Sequence, residues 1–131
     1  MFNRRFLKGS LLLGLALSLM GCGSPGLVSI TISPNAEYFG GSGLSAQFTA
    51  IGTYDQGSHP LTTRDITNEV TWKSNAPGVA TISNTGLATS GIGTGSTAIT
   101  ATMNGFTGVI TANATVFVCH TLTPTGNGCA S

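Results

Sequence analysis

Ala46-Gln47-Phe48-Thr49-Ala50-Ile51-Gly52-Thr53-Tyr54 alternates without a break. Ala46, Phe48, Ala50, Gly52 and Tyr54 fall on one face, and Gln47, Thr49, Ile51 and Thr53 fall on the other. Successive strand side chains point to opposite faces, so this period of two predicts a half-buried strand with Phe48 inside. Gly40-Gly41-Ser42-Gly43 precedes it as a loop. Further upstream, Val28, Ile30 and Ile32 alternate with Ser29, Thr31 and Ser33 until Pro34, which has no N–H to give a ladder, ends the strand.

The same pattern continues towards the C-terminus. Asp55 to Pro60 has the Asp, Gly and Pro content of a turn, and Asp65-Ile66-Thr67-Asn68 reads as a short capped turn. Val70 and Trp72 then share a face. Val79–Ser83 and Gly86–Thr89 form a hairpin around Asn84-Thr85-Gly86. Ile99, Ala101 and Met103 make the next inward set, Asn104-Gly105 is a two-residue hairpin signal, and Ile110, Ala112, Ala114, Val116 and Val118 close the sheet. The expected fold is all-β, an immunoglobulin-like sandwich of about seven antiparallel strands.

These segments also carry a family resemblance. Ile32-Ser33-Pro34, Gln47 to Tyr54, Asp65 to Trp72, Val79-Ala80-Thr81-Ile82-Ser83, Thr85 to Thr89 and Ser96 to Ala101 resemble, in order and spacing, the bacterial immunoglobulin-like domain, group 2. The resemblance covers Leu27 to Val118. It implies a rigid sandwich of the kind found in bacterial surface proteins, adhesins among them, and beside secreted enzymes. It implies no catalytic residues. Trp72 resembles the family's strand tryptophan packed between sheets, and Phe48 and Tyr54 resemble its core aromatics. Members usually occur in tandem or beside other domains, whereas this chain carries one copy, which argues against a long adhesive stalk.

The N-terminal residues read as an address. Asn3-Arg4-Arg5-Phe6-Leu7-Lys8 is a basic start, and Gly9 to Met20 is an apolar run short for a membrane span. Leu19-Met20-Gly21-Cys22 resembles the bacterial lipobox, in which the cysteine thiol takes a diacylglycerol thioether and the small residue before it exposes the scissile bond. Residues 1–21 are therefore expected to be a lipoprotein signal peptide, with Cys22 lipidated, 22–26 a tether, 27–118 the domain and 119–131 a tail. Arg4-Arg5 also resembles a twin-arginine export motif. It lacks one residue of the usual spacing, so the general secretory route is expected.

Removing the signal leaves Arg64 and Lys73 against Glu37, Asp55, Asp65 and Glu69, a net charge of about −2 with neutral histidines. Two isolated cations cannot form a phosphate-binding surface, which excludes nucleic acid as a partner. Outside the cytoplasm, Cys119 and Cys129 are expected to form a disulfide that closes the tail, at a gain of roughly 2–3 kcal/mol. A metal site on Cys119, His120 and Cys129 lacks an evident fourth ligand, and adjacent Cys119 and His120 cannot easily both meet tetrahedral geometry.

Little else carries chemistry. His59 sits before Pro60 in a turn and His120 in the tail, and neither is placed to serve a nucleophile. Asp55, Asp65, Asn68 and Glu69 offer hard oxygens without the spacing of a calcium loop, and Asp65 and Asn68 have turn-capping roles. Gly91-Ile92-Gly93-Thr94-Gly95 lacks the Lys-Ser/Thr and helix of a phosphate loop, and the sequon Asn113-Ala114-Thr115 carries no weight in a bacterial lipoprotein. No enzyme activity, metal or cofactor is expected. The expected function is that of a lipid-anchored envelope module, at the outer membrane or cell surface rather than the inner membrane, which binds a protein or glycan. The alternative is a periplasm-facing accessory subunit of an envelope complex. Ile51 and the loops Asp55–Pro60 and Gly91–Gly95 are the candidate contacts.

Overall fold

The computed structural model describes residues 24–130. The expected signal peptide and the first two residues of the expected tether, Cys22 and Gly23, fall outside the described residues, as does Ser131. Ten strands follow in order: β1 Gly26–Ser33, β2 Ala36–Phe39, β3 Ser45–Gln47, β4 Thr49–Asp55, β5 Thr62–Asp65, β6 Thr71–Ser74, β7 Ala80–Ile82, β8 Leu87–Ser90, β9 Gly95–Gly105 and β10 Gly108–Val118. They pair as β1-β4-β5, β2-β10-β9-β6 and β3-β8-β7. All pairings are antiparallel except β2 with β10, which is parallel.

The segment that decides the fold is divided at Phe48. Residues before it pair with β8, and residues after it pair with β1 and β5. Phe48 itself donates its N–H to the Gly86 carbonyl at 2.8 Å, which carries the bonding across the break. The two three-stranded sheets are thereby joined along one side of the sandwich. The four-stranded sheet forms the other.

Alternation puts the core where the two sides meet. Phe48, Ile66, Ile99 and Val116 are the largest fully buried side chains, each at most 1% exposed. Trp72 and Tyr54 lie at the same apolar layer's margin, at 7% and 8%. Burying one such side chain stabilises by about 1.5–3 kcal/mol, so this cluster is the main favourable contribution. The polar groups caught inside are paired. The Trp72 indole N–H donates to the Thr67 carbonyl at 2.8 Å, and the Ser74 hydroxyl donates to the Ala80 carbonyl at 2.6 Å. No buried side-chain nitrogen or oxygen among the described residues lacks a partner.

Four expectations are corrected. The register of β1 shifts between Leu27 and Ser29, so Leu27 is buried and Val28 is 44% exposed, the reverse of strict alternation. A bulge places two residues opposite one and turns the chain by one position, which explains the exchange. Asn104-Gly105 is not the turn: these residues pair with Val109 and Gly108, and the loop is Phe106-Thr107. The continuous strand expected over 46–54 is two strands in two sheets. Finally, β2 and β5 add to the expected set, both short and neither marked by apolar alternation.

Candidate binding face

Register fixes the two ends of the molecule. At one end Gly26 pairs with Asp55, and the Phe106 N–H donates to the Leu27 carbonyl at 3.0 Å. At the other, Gly95 pairs with Val118, and Ser90 bonds the Leu44 carbonyl at 2.8 Å. β9 and β10 have 11 residues each. At roughly 3.4 Å per residue they separate the ends by about 35 Å. The end that carries Gly26 and Phe106 is the proximal end, and the end that carries Gly95 and Val118 is the distal end.

The outer face of the four-stranded sheet is built by the residues that alternation turns away from the core. Thr71, Thr102 and Thr111 lie abreast on β6, β9 and β10, and the last two hydroxyls are 3.4 Å apart. Lys73, Thr100 and Asn113 form the next rank. Towards the distal end, Phe117 pairs with Tyr38, and their rings stack at a centroid distance of 4.7 Å with 8° between planes. Both rings are half-buried. Beside them a shallow cleft of about 410 Å³ lies between Ser96, Phe117 and the disulfide-closed tail, with His120 on its rim.

This arrangement suits non-covalent recognition. The stacked pair gives an apolar patch, while the hydroxyls, the Asn113 amide and the Lys73 ammonium supply hydrogen bonds around it. Tyr38 and Phe117 were missing from the sequence-derived candidates. Phe117 had a signal: it occupies the outward set of β10 with Asn113 and Thr115, where an aromatic ring has no core to enter. Tyr38 had none, because β2 is recognisable only through its parallel pairing.

The sequence candidates are distributed otherwise. Cys119 and Cys129 are joined by a disulfide with a Cα separation of 5.5 Å. Cys119 is 6% exposed and donates its N–H to the Phe39 carbonyl at 2.9 Å, so the bridge hangs the tail from the edge of the core. The loops Asp55–Pro60 and Gly91–Gly95 lie at opposite ends and cannot form one site, and the same separation keeps His59 from His120. Ile51 is half-buried in mid-strand between Thr31 and Asp65.

Asp55, Asp65 and Glu69 have local partners. An Asp55 carboxylate oxygen accepts the Gly57 N–H at 2.8 Å, and Asp65 accepts the Thr67 N–H at 2.9 Å. The Thr67 hydroxyl, and after it this N–H, holds the Asp65 carboxyl below the usual carboxylate range. Glu69 pairs with Arg64 at 3.0 Å, and Arg64 also donates to the Tyr54 hydroxyl at 2.9 Å while lying over its ring. The Tyr54 bond leads in raising the guanidinium's pKa above its ordinary value. Among the described residues no three His, Cys, Asp or Glu side chains converge on a metal-sized point, and no helix is long and apolar enough to cross a membrane.

Comparison with known proteins agrees with the architecture. Over 77 residues, 59% of this chain, the sequence is 47% identical to Ice-binding protein 1 of Shewanella frigidimarina (strain NCIMB 400). The match spans 8% of that protein's length, so what its name describes belongs to a much larger molecule. The profile of the bacterial Ig-like domain (group 2) matches residues 28–116, which is most of the described sandwich, and the chain belongs to that family.

Proposed function

We propose that the protein is a non-enzymatic, lipid-anchored module of the bacterial cell envelope that presents the distal part of its outer sheet face to a protein or glycan. The observation that carries this is polarity. The tether leads into the proximal end at Gly26, while the stacked Tyr38–Phe117 pair and its cleft lie towards the far end of β10. An anchor through Cys22 would hold the molecule by the end that lacks the stacked pair. Membership of an Ig-like family and likeness to part of a protein named for binding ice support a binding module over an enzyme. Ice itself is not assigned as the ligand, given the 8% overlap.

A second arrangement is favoured by β5, an edge strand with all four residues exposed, which offers free backbone groups for a partner strand. In that case the protein is an accessory subunit facing the periplasm. Protease shaving of intact and lysed cells, followed by mass spectrometry of peptides from 27–118, separates the two. Cleavage on intact cells, with glycan-array or protein binding lost on Phe117→Ser, supports the surface module. Cleavage only after lysis, with one stoichiometric envelope partner on mild crosslinking, supports the subunit.

A further inference from the structure

The proximal end is more apolar than an end loop needs to be. Phe106, at the tip of the β9–β10 hairpin, is 79% exposed, and Val28, put outside by the β1 bulge, is 44% exposed. Together with Ser24, Gly26, Asp55, Gln56 and Gly57 they line a groove of about 450 Å³. Val109, 66% exposed, pairs with Asn104 next to this tip, and Leu61, 61% exposed, precedes the residue paired with Tyr54. Among the described residues, four of the seven exposed large apolar side chains therefore gather here, while Leu44, Leu87 and Ile92 lie apart from them. The ring of Phe106 is held rather than loose: a Cβ on Gly26 would come within 2.7 Å of the Phe106 Cβ, so the hairpin tip rests directly on the bare backbone of β1.

Chain length identifies what faces this end. Only three residues lie between Cys22 and Gly26, four steps along the chain. At 3.3–3.6 Å per residue the four steps reach about 14 Å at most, so a lipid on Cys22 would keep Gly26 and Phe106 within the headgroup region or just above it. So short a tether also gives the bilayer a high effective concentration at the patch, and side chains too few to bind a membrane alone would dock once the anchor is in place. One acidic side chain lines the groove and is the charge that contact must accommodate. The acidic group here, Asp55, is turned into its own loop by the Gly57 N–H, and Arg64, Asp65 and Glu69 lie further along β5 and the turn after it.

We infer that Phe106, with Val28 beside it, is a bilayer-contacting wedge: it inserts into the interface of the membrane that carries the protein's own anchor and sets the sandwich upright on it. This inference rests on the lipidation of Cys22 proposed above and adds an orientation that lipidation alone would not give. A domain held by lipid only would swing freely about its tether.

The test uses the full processed chain in vesicles of phosphatidylethanolamine and phosphatidylglycerol with dibrominated acyl chains, which quench nearby tryptophan. Phe106→Trp is compared with Ile92→Trp at the distal end, with the signal of buried Trp72 subtracted. The expected result is quenching at least about twofold stronger at position 106, as an interfacial depth of ~5–10 Å requires. Intact-mass measurement on the same samples reports the lipid. Equal quenching on a chain that carries the lipid mass overturns the wedge and leaves the anchor standing. A chain without that mass overturns both. A Trp at 106 that is shielded in native envelopes but unquenched by bromolipid, and that crosslinks to one protein, assigns the patch to a protein partner and overturns the wedge.

Discussion

Trp72 shows how one side chain links strand, turn and core. Its ring fills the space between the two sides of the sandwich, and its N–H reaches back to the Thr67 carbonyl, closing the turn that leads from β5 into β6. Trp72→Phe keeps most of the ring but leaves that carbonyl without its donor, so stability should fall by about 1–3 kcal/mol. Because Trp72 is the chain's sole tryptophan, the loss is measured by circular dichroism in urea rather than by fluorescence. Two residues before Thr67, Asp65 accepts the Thr67 N–H at 2.9 Å, and Thr67 holds its carboxyl below the ordinary carboxylate range. Its pKa is lower folded than unfolded, so its contribution is full above the ordinary value near pH 4 and disappears as pH falls through the folded value. Asp65→Asn should therefore flatten the acid limb of a denaturation series run from about pH 6 to pH 2. A limb that keeps the wild-type slope would show that the carboxylate does not anchor the turn.

At the scale of elements, apolar alternation finds most strands that bury one face but does not fix their phase or their ends, and it fails where a strand buries neither face. The inward sets of β4, β9 and β10 were legible because Ala50, Gly52 and Tyr54, then Ile99 and Ala101, then Ala114, Val116 and Val118 recur at every second position against mostly polar neighbours. Thr62-Thr63-Arg64-Asp65 gave no signal, since a strand exposed on both faces has nothing to alternate. Val28 was misplaced because a bulge shifts the phase of β1 without any residue that marks it. Asn104-Gly105 has the composition of a turn, yet the hairpin continues two residues further, where the Phe106 N–H finds the Leu27 carbonyl. The β7–β8 hairpin is the case where the turn residue is indispensable. Gly86 has φ +80°, and a Cβ there would collide with the Phe48 carbonyl. Gly86→Ala should cost about 2–4 kcal/mol, combining left-handed backbone strain with displacement of the bond that joins the two halves of one side. Thermal unfolding of the variant measures it, and a change near zero would mean that the turn can relax without disturbing Phe48.

On the scale of the whole molecule, the disulfide and the ends matter most. The tail bonds largely to itself: Thr123 to Gly128, Ala130 to Thr121, and Leu122 bridged to Cys129. Cys129→Ser should thus release the tail locally, with fast amide exchange over residues 120–130 and little change in the unfolding midpoint of the sandwich. A midpoint that drops with the bridge would instead make the tail part of the cooperative unit. The binding face was less legible than the fold because it is assembled across strands: Tyr38 meets Phe117 only through the parallel β2–β10 pairing, a contact between residues 79 positions apart in sequence.

The chain enters the sandwich at Gly26 and leaves it at Val118, at opposite ends of β10's length. With Cys22 lipidated as proposed, the domain is a spacer with a fixed direction. A fluorophore or enzyme fused behind the tail would stand about 35 Å further from the bilayer than one grafted into the Phe106-Thr107 loop. The two attachment points would thus serve as the near and far marks of a molecular ruler on the membrane that carries the anchor.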